Sequence, residues 1–286
     1  MFEGFEDVTV DGIHARVGGS GPPLLLLHGY PQTHVMWHRV APLLADAFTL
    51  VVADLPGYGA SARPAPTADH AAHSKRAMAA GLVGAMGQLG HESFAMAGHD
   101  RGARVGYRMA LDHPERVERL AVLDIVPTGE VYRRAGMGLA MEYWHWFFLP
   151  QPAPFPERVI GAAPDAYFLG ASMKGGEAQF GAEALAAYRE AWRDPASIEA
   201  FCEDYRAGAT VDFGLDEADR AAGRTIGCPV LALWGSRGTL EHRYDVLDVW
   251  RAWAPGVRGR VLDTTHYLPE DAPEEVAKEL RAFFAP

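Results

Sequence analysis

A series of short apolar runs constrains this chain more than any other feature of its sequence. Residues 24–27, 48–53, 93–97, 120–123, 230–234 and 259–262 are too short for core helices. They also lack the polar–apolar alternation of a strand wetted on one side, so they suit strands covered on both faces. Between them, residues 34–45, 73–88, 101–111, 244–253 and 273–284 carry helix-like spacing. This alternation predicts an α/β fold with a mostly parallel central sheet flanked by helices. Residues 6–17 alternate around Asp11-Gly12, which adds a hairpin at the start.

The rhythm breaks over residues 128–221. That stretch is rich in aromatic residues and alanine, is punctuated by Pro150, Pro152, Pro154, Pro156 and Pro164, and contains no good strand. It reads as a helical cap inserted into a sheet domain made of residues 1–127 and 222–286. A length of 286 residues suits one domain with a large insertion. The net charge of −11 and pI near 5.5 repel polyanions, which argues against nucleic acid or an anionic membrane as partner. An anionic substrate would therefore need local arginines. Cys202 and Cys228 cannot build a disulfide framework, and the first residues lack the basic and apolar blocks of a signal peptide, so a cytoplasmic protein is expected.

After the run at 93–97 comes Gly98-His99-Asp100-Arg101-Gly102, followed by a helical stretch. A reactive residue flanked by small ones marks a sharp strand-to-helix turn that holds its side chain at the mouth of a sheet. The central residue here is aspartate, and Gly-x-Ser-x-Gly occurs nowhere in the chain. The difference decides the chemistry. Serine attacking an alkyl carbon would leave an ether, whereas a carboxylate leaves an ester that water can open. The competing reading of Asp100 is a glycine-flanked loop acid.

A base should follow the last strand, and His266 in Asp263-Thr264-Thr265-His266-Tyr267 lies there. Its orienting acid is commonly placed after the strand at 230–234, but Trp234-Gly235-Ser236-Arg237-Gly238 offers glycine instead. Asp124, at the carboxyl end of the preceding core strand, is preferred over Glu241 and Asp245. The His28-Gly29-Tyr30-Pro31 loop can aim the Tyr30 amide at an ester oxygen, with the Arg101 amide as second donor. His28 itself reads as a loop-stabilising residue.

On these residues the chain resembles the haloacetate (fluoroacetate) dehalogenases of the α/β-hydrolase superfamily along essentially its whole length. The likeness extends to His28-Gly29-Tyr30-Pro31-Gln32-Thr33, to Ala103-Arg104 after the aspartate motif, and to Tyr143-Trp144-His145-Trp146 and Cys202-Glu203-Asp204-Tyr205-Arg206-Ala207-Gly208. The resemblance implies the α/β-hydrolase fold and a homodimer without metal or organic cofactor, with a small haloacid and water as substrates. It further implies that Arg101 and Arg104 bind the substrate carboxylate while His145, Trp146 and Tyr205 donate hydrogen bonds to the departing halide. Two arginines three apart at a helix start share one face, which agrees with that role. The bland readings are a solvated arginine pair and an aromatic core stripe at 143–148.

The mechanism expected is attack by Asp100 on the halogen-bearing carbon, then hydrolysis of the ester by water activated at His266. Two rivals stay open. An epoxide hydrolase would use the same aspartate and histidine with two cap tyrosines, Tyr205 and either Tyr143 or Tyr167. A catalytically silent binding protein would keep the fold alone.

Overall fold

The computed structural model describes residues 1–285. Eight strands form one sheet in the order β1-β2-β4-β3-β5-β6-β7-β8. These are β1 (Glu6–Val10), β2 (Ile13–Gly19), β3 (Pro23–Leu27), β4 (Thr49–Ala53), β5 (Phe94–His99), β6 (Val117–Leu123), β7 (Val230–Gly235) and β8 (Arg258–Leu262). The β1–β2 hairpin turns at Asp11-Gly12, with Val10 opposite Ile13, and β2 runs antiparallel to β4. From β4 to β8 every pairing is parallel.

The core strands are apolar throughout because both faces are covered: Leu24–Leu27 and Met96–Ala97 are fully buried. Edge strand β8 is instead mostly exposed, which fits its arginines Arg258 and Arg260. Helix α1 (Lys75–Gln88) starts under a Ser74 cap and packs along α2 (Arg101–Asp112), which lies on β5 and β6.

Chain order reverses about β3, since β4 lies on one side of it and β5 on the other. The carboxyl ends of β3 and β5 therefore open a crevice between the 28–33 loop and Asp100. Between β6 and β7 the chain forms helices only, from Thr128 to Ala221. No helix of the described residues is long and apolar enough to cross a membrane.

Two helix expectations fail. Residues 34–45 form only two short 3-10 turns, His34–Trp37 and Ala41–Leu43. Asp54, at the end of β4, accepts from both the His34 amide at 2.7 Å and its Nδ1 at 3.0 Å, and β-branched Val35 and Val40 with Pro42 give little helix propensity to resist that pull. The expected helix at 244–253 shrinks to Val246–Arg251, because the Asp245 side chain accepts from the Asp248 amide and sets a later start.

Candidate active site

Asp100 occupies the single residue between β5 and α2, with φ +45° and ψ −113°. A non-glycine residue is strained there, so its surroundings must hold it. They leave no room for relaxation. A Cβ on Gly102 would lie 2.4 Å from the His28 carbonyl oxygen, and one on Gly29 would lie 2.6 Å from the Asp100 Cβ. The same approach brings the Tyr30 amide to Asp100 Oδ1, to which it donates at 3.1 Å. Burial alone would push the Asp100 carboxyl up, but His266, Arg101, Arg104 and His99 around it hold it well below the usual carboxylate range.

His28 is fully buried, donates from Nδ1 to the Gly29 carbonyl at 3.0 Å and accepts the Leu55 amide on Nε2 at 3.0 Å. Burial lowers its pKa to about 4, so it is a neutral strut between the loops after β3 and β4.

His266 and Asp124 meet across 142 residues of sequence: Nδ1 donates to Asp124 Oδ2 at 2.5 Å. Asp124, itself at a positive φ of 52°, accepts the Gly235 amide on Oδ1 at 2.9 Å. Gly235 thus contributes a backbone donor where the chain lacks an acid. Glu241 accepts from the Trp234 indole and Asp245 caps a helix, so neither approaches His266 as a partner. Burial lowers the His266 pKa, but the Asp124 hydrogen bond and charge and the nearby Asp100 outweigh it and leave a net rise. His99 donates from Nε2 to the His266 carbonyl at 2.7 Å, a support with no mark in the local sequence pattern.

Asp100, Asp124 and His266 line a cavity of about 960 Å³, together with Tyr30, Arg104, Tyr143, His145, Trp146 and Tyr205. Burial and the arginine charges lower the His145 pKa to about 3, against the pull of Asp100, so its imidazole is neutral and offers one N–H. The Arg104 Nη1 is committed to the Val126 carbonyl at 2.9 Å and to Thr128 Oγ1 at 3.2 Å.

Arg101 departs from the simple picture of two forks presented side by side. Its guanidinium lies behind the cavity lining, with its centre 3.3 Å from the Tyr205 ring centroid and 5.2 Å from that of Trp146. It is fully buried, and none of its three nitrogens makes a hydrogen bond. Neither arginine is solvated. Residues 167–188 supply Ala171, Ser172, Lys174, Gly175, Ala178 and Gln179 to one wall. Tyr143 lines the cavity as well, whereas Tyr167 does not, and its buried hydroxyl lacks a partner.

A strained acid at a strand-to-helix turn, an opposing backbone amide and a His–acid pair that follows β8 and β6, on either side of β7, define an α/β hydrolase with an aspartate at the turn. The chain belongs to the α/β-hydrolase fold family, whose model matches residues 22–273. It is 48% identical over 292 residues to the fluoroacetate dehalogenase of Burkholderia sp, an alignment spanning 100% of this chain and 95% of that protein. A soluble epoxide hydrolase of Corynebacterium sp. (strain C12) is 31% identical, over 96% of this chain and 94% of its own length. Among solved structures, an α/β hydrolase of Nostoc sp PCC 7120 is 50% identical with a TM-score of 0.96, covering 100% of this chain and 99% of that one.

Proposed function

We propose that the protein is a haloacetate dehalogenase, hydrolysing fluoroacetate, chloroacetate or both to glycolate and halide. The observation that carries this is an ionised aspartate at a strained turn beside two buried guanidiniums and three neutral donors. Asp100 Oδ2 attacks the carbon bearing the halogen; the carbon–halogen electron pair leaves with the halide, and an ester forms. Oδ1, held by the Tyr30 amide, becomes the ester carbonyl oxygen. The Arg101 amide, in the first turn of α2 and so outside the helix ladder, is the second donor to that oxygen.

His266, its Nδ1 proton directed to Asp124, accepts a proton from water on Nε2. The hydroxide adds to the ester carbonyl, and collapse releases glycolate and restores the Asp100 carboxylate. Arg101 and Arg104 hold the substrate carboxylate, and His145, Trp146 and Tyr205 donate to the halide as its charge develops. Residues 128–221 act as a cap that closes these donors over the sheet. No step calls for a metal or organic cofactor.

A homodimer and a cytoplasmic setting belong to this reading. Exposed apolar side chains such as Phe155 and Val159 support the first, and two unpaired cysteines the second.

The decisive test measures fluoride and chloride release from the two monohaloacetates, and looks for a carboxymethyl ester on Asp100 in His266→Ala by intact-protein mass spectrometry. A folded variant without adduct, or a wild type releasing neither halide, overturns the proposal.

The epoxide hydrolase reading retains one supporting observation, that Tyr143 and Tyr205 both line the cavity. Two buried guanidiniums have no work on a neutral epoxide, so diol formation from styrene oxide should trail halide release. A silent binding protein would bind acetate and turn nothing over, unchanged by Asp100→Ala.

A further inference from the structure

Behind the cavity, charged side chains from different parts of the chain meet in an environment closed to solvent. Asp204 lies on the Pro195–Ala207 helix, one residue before Tyr205. Its Oδ2 accepts from the Tyr58 hydroxyl at 2.6 Å and lies 3.5 Å from the Arg101 Nε, while its Oδ1 takes the Lys75 ammonium. Lys75 opens α1, and its amide donates to Asp212 Oδ1 at 2.9 Å. The side chains of Lys75, Asp204 and Arg101 are at most 1% exposed.

A lysine so placed needs an explanation, because a buried ammonium is costly to desolvate. The relative closeness of the contacts supplies one. Asp204 alone would neutralise Arg101 and leave the pair with little attraction for an anion. Lys75 takes one oxygen of that carboxylate and Tyr58 the other, so Arg101 is left with a 3.5 Å contact to Asp204 and a guanidinium that makes no hydrogen bond. The ammonium also donates to Asp212 Oδ2, at 3.4 Å a longer contact than the one to Asp204, so Asp204 is its principal partner.

We infer that Lys75 is a positioning residue for substrate binding: by neutralising Asp204 it reserves the charge of Arg101 for the carboxylate of the haloacid. The inference rests on the reading of Arg101 as a carboxylate-binding residue. The same contacts tie the helical segment to the core, since Asp204 comes from the former and Tyr58, Lys75 and Arg101 from the latter. A purely structural tie requires only that the contacts be filled. A charge-setting tie requires a particular sign, and the two differ when the charges are removed in turn.

The test is acetate binding, followed by calorimetry so that it does not depend on turnover, alongside chloroacetate kinetics. Lys75→Met should weaken acetate about tenfold and raise KM in proportion with kcat little changed, because Asp204 now cancels Arg101. Lys75→Arg should retain affinity. Adding Asp204→Asn to Lys75→Met should restore acetate binding to within about threefold of wild type, since Arg101 is freed again; a buried pair replaced by neutral groups of similar volume commonly folds.

Wild-type affinity in folded Lys75→Met overturns the inference, as does a double variant that binds no better than the single. Should Lys75→Met not fold, the double variant decides alone: near-wild-type affinity supports the inference and a tenfold loss overturns it. A wild type that binds no acetate would instead refute the dehalogenase reading on which it rests.

Discussion

Replacing Asp124 with asparagine should separate the two proposed half-reactions more sharply than any other single change. The structure fixes how the new amide must sit. Asp124 Oδ1 accepts the Gly235 amide, so the asparagine oxygen is held on that side and its NH₂ faces His266 Nδ1. Nδ1 then has to accept, the ring proton moves to Nε2, and the nitrogen needed to deprotonate water is blocked. Flipping the amide would set NH₂ against the Gly235 N–H and leave a buried donor unpaired, at about 1–3 kcal/mol. Losing the charge on the acceptor costs a further ~1–2 kcal/mol. Together these slow ester hydrolysis by roughly 10² to 10³.

Alkylation of Asp100 needs no base, so it should slow only slightly. Rapid quench should therefore show a halide burst approaching one equivalent of enzyme, and mass spectrometry should find the ester. Asp124 also raises the His266 pKa, so its loss should move the acid limb of the remaining activity to lower pH. Turnover within about threefold of wild type, or a folded variant with neither burst nor ester, would refute the assigned partnership.

Other consequences follow from the same geometry. Tyr205→Phe removes a donor from the halide side of the cavity and should slow fluoride release about a hundredfold but chloride release less, since fluoride depends more on hydrogen bonding; equal effects in a halide-electrode assay would remove Tyr205 from that role. Gly29→Ala places a Cβ 2.6 Å from the Asp100 Cβ, so activity should collapse while unfolding shifts by only about 1–3 kcal/mol; an active variant would mean that the elbow can yield. Glu270, on the short Leu268–Asp271 helix after His266, accepts from Gln32 and Tyr188, and burial pushes its carboxyl up to about 7 from 4.5. Its folded-state pKa is raised, so the stability it adds is complete below about pH 4.5 and is lost as pH rises through 7, a change of about 3 kcal/mol. Denaturant melts at pH 5 and 8 should therefore favour Glu270→Gln by that margin at the higher pH, and parallel shifts would contradict it.

What the sequence made legible shares one property: the signal was local, or was tied to a strand end. The Asp100 turn is written within two residues on each side, because the backbone contacts that exclude side chains fall on Gly98 and Gly102 themselves. Asp124 and His266 are far apart in the chain, but each ends or follows a recognisable apolar run, and parallel strands bring their carboxyl ends to one edge. The stretch at 34–45 misled because its capture by Asp54, just beyond the next strand, leaves no mark on its own periodicity.

Lys75 is the harder case. In sequence it opens a helix as any solvated lysine would, and only the fold reveals Asp204 arriving from 129 residues away to bury it. Arg101 shows the same limit from the other side. Its place beside Asp100 is evident from the turn, yet the missing hydrogen bonds and the counter-charge behind it depend on three separate elements. Residues proposed to perform chemistry at a strand end can thus be read from one segment. Those that set the charge of the site become visible only when the segments are packed together.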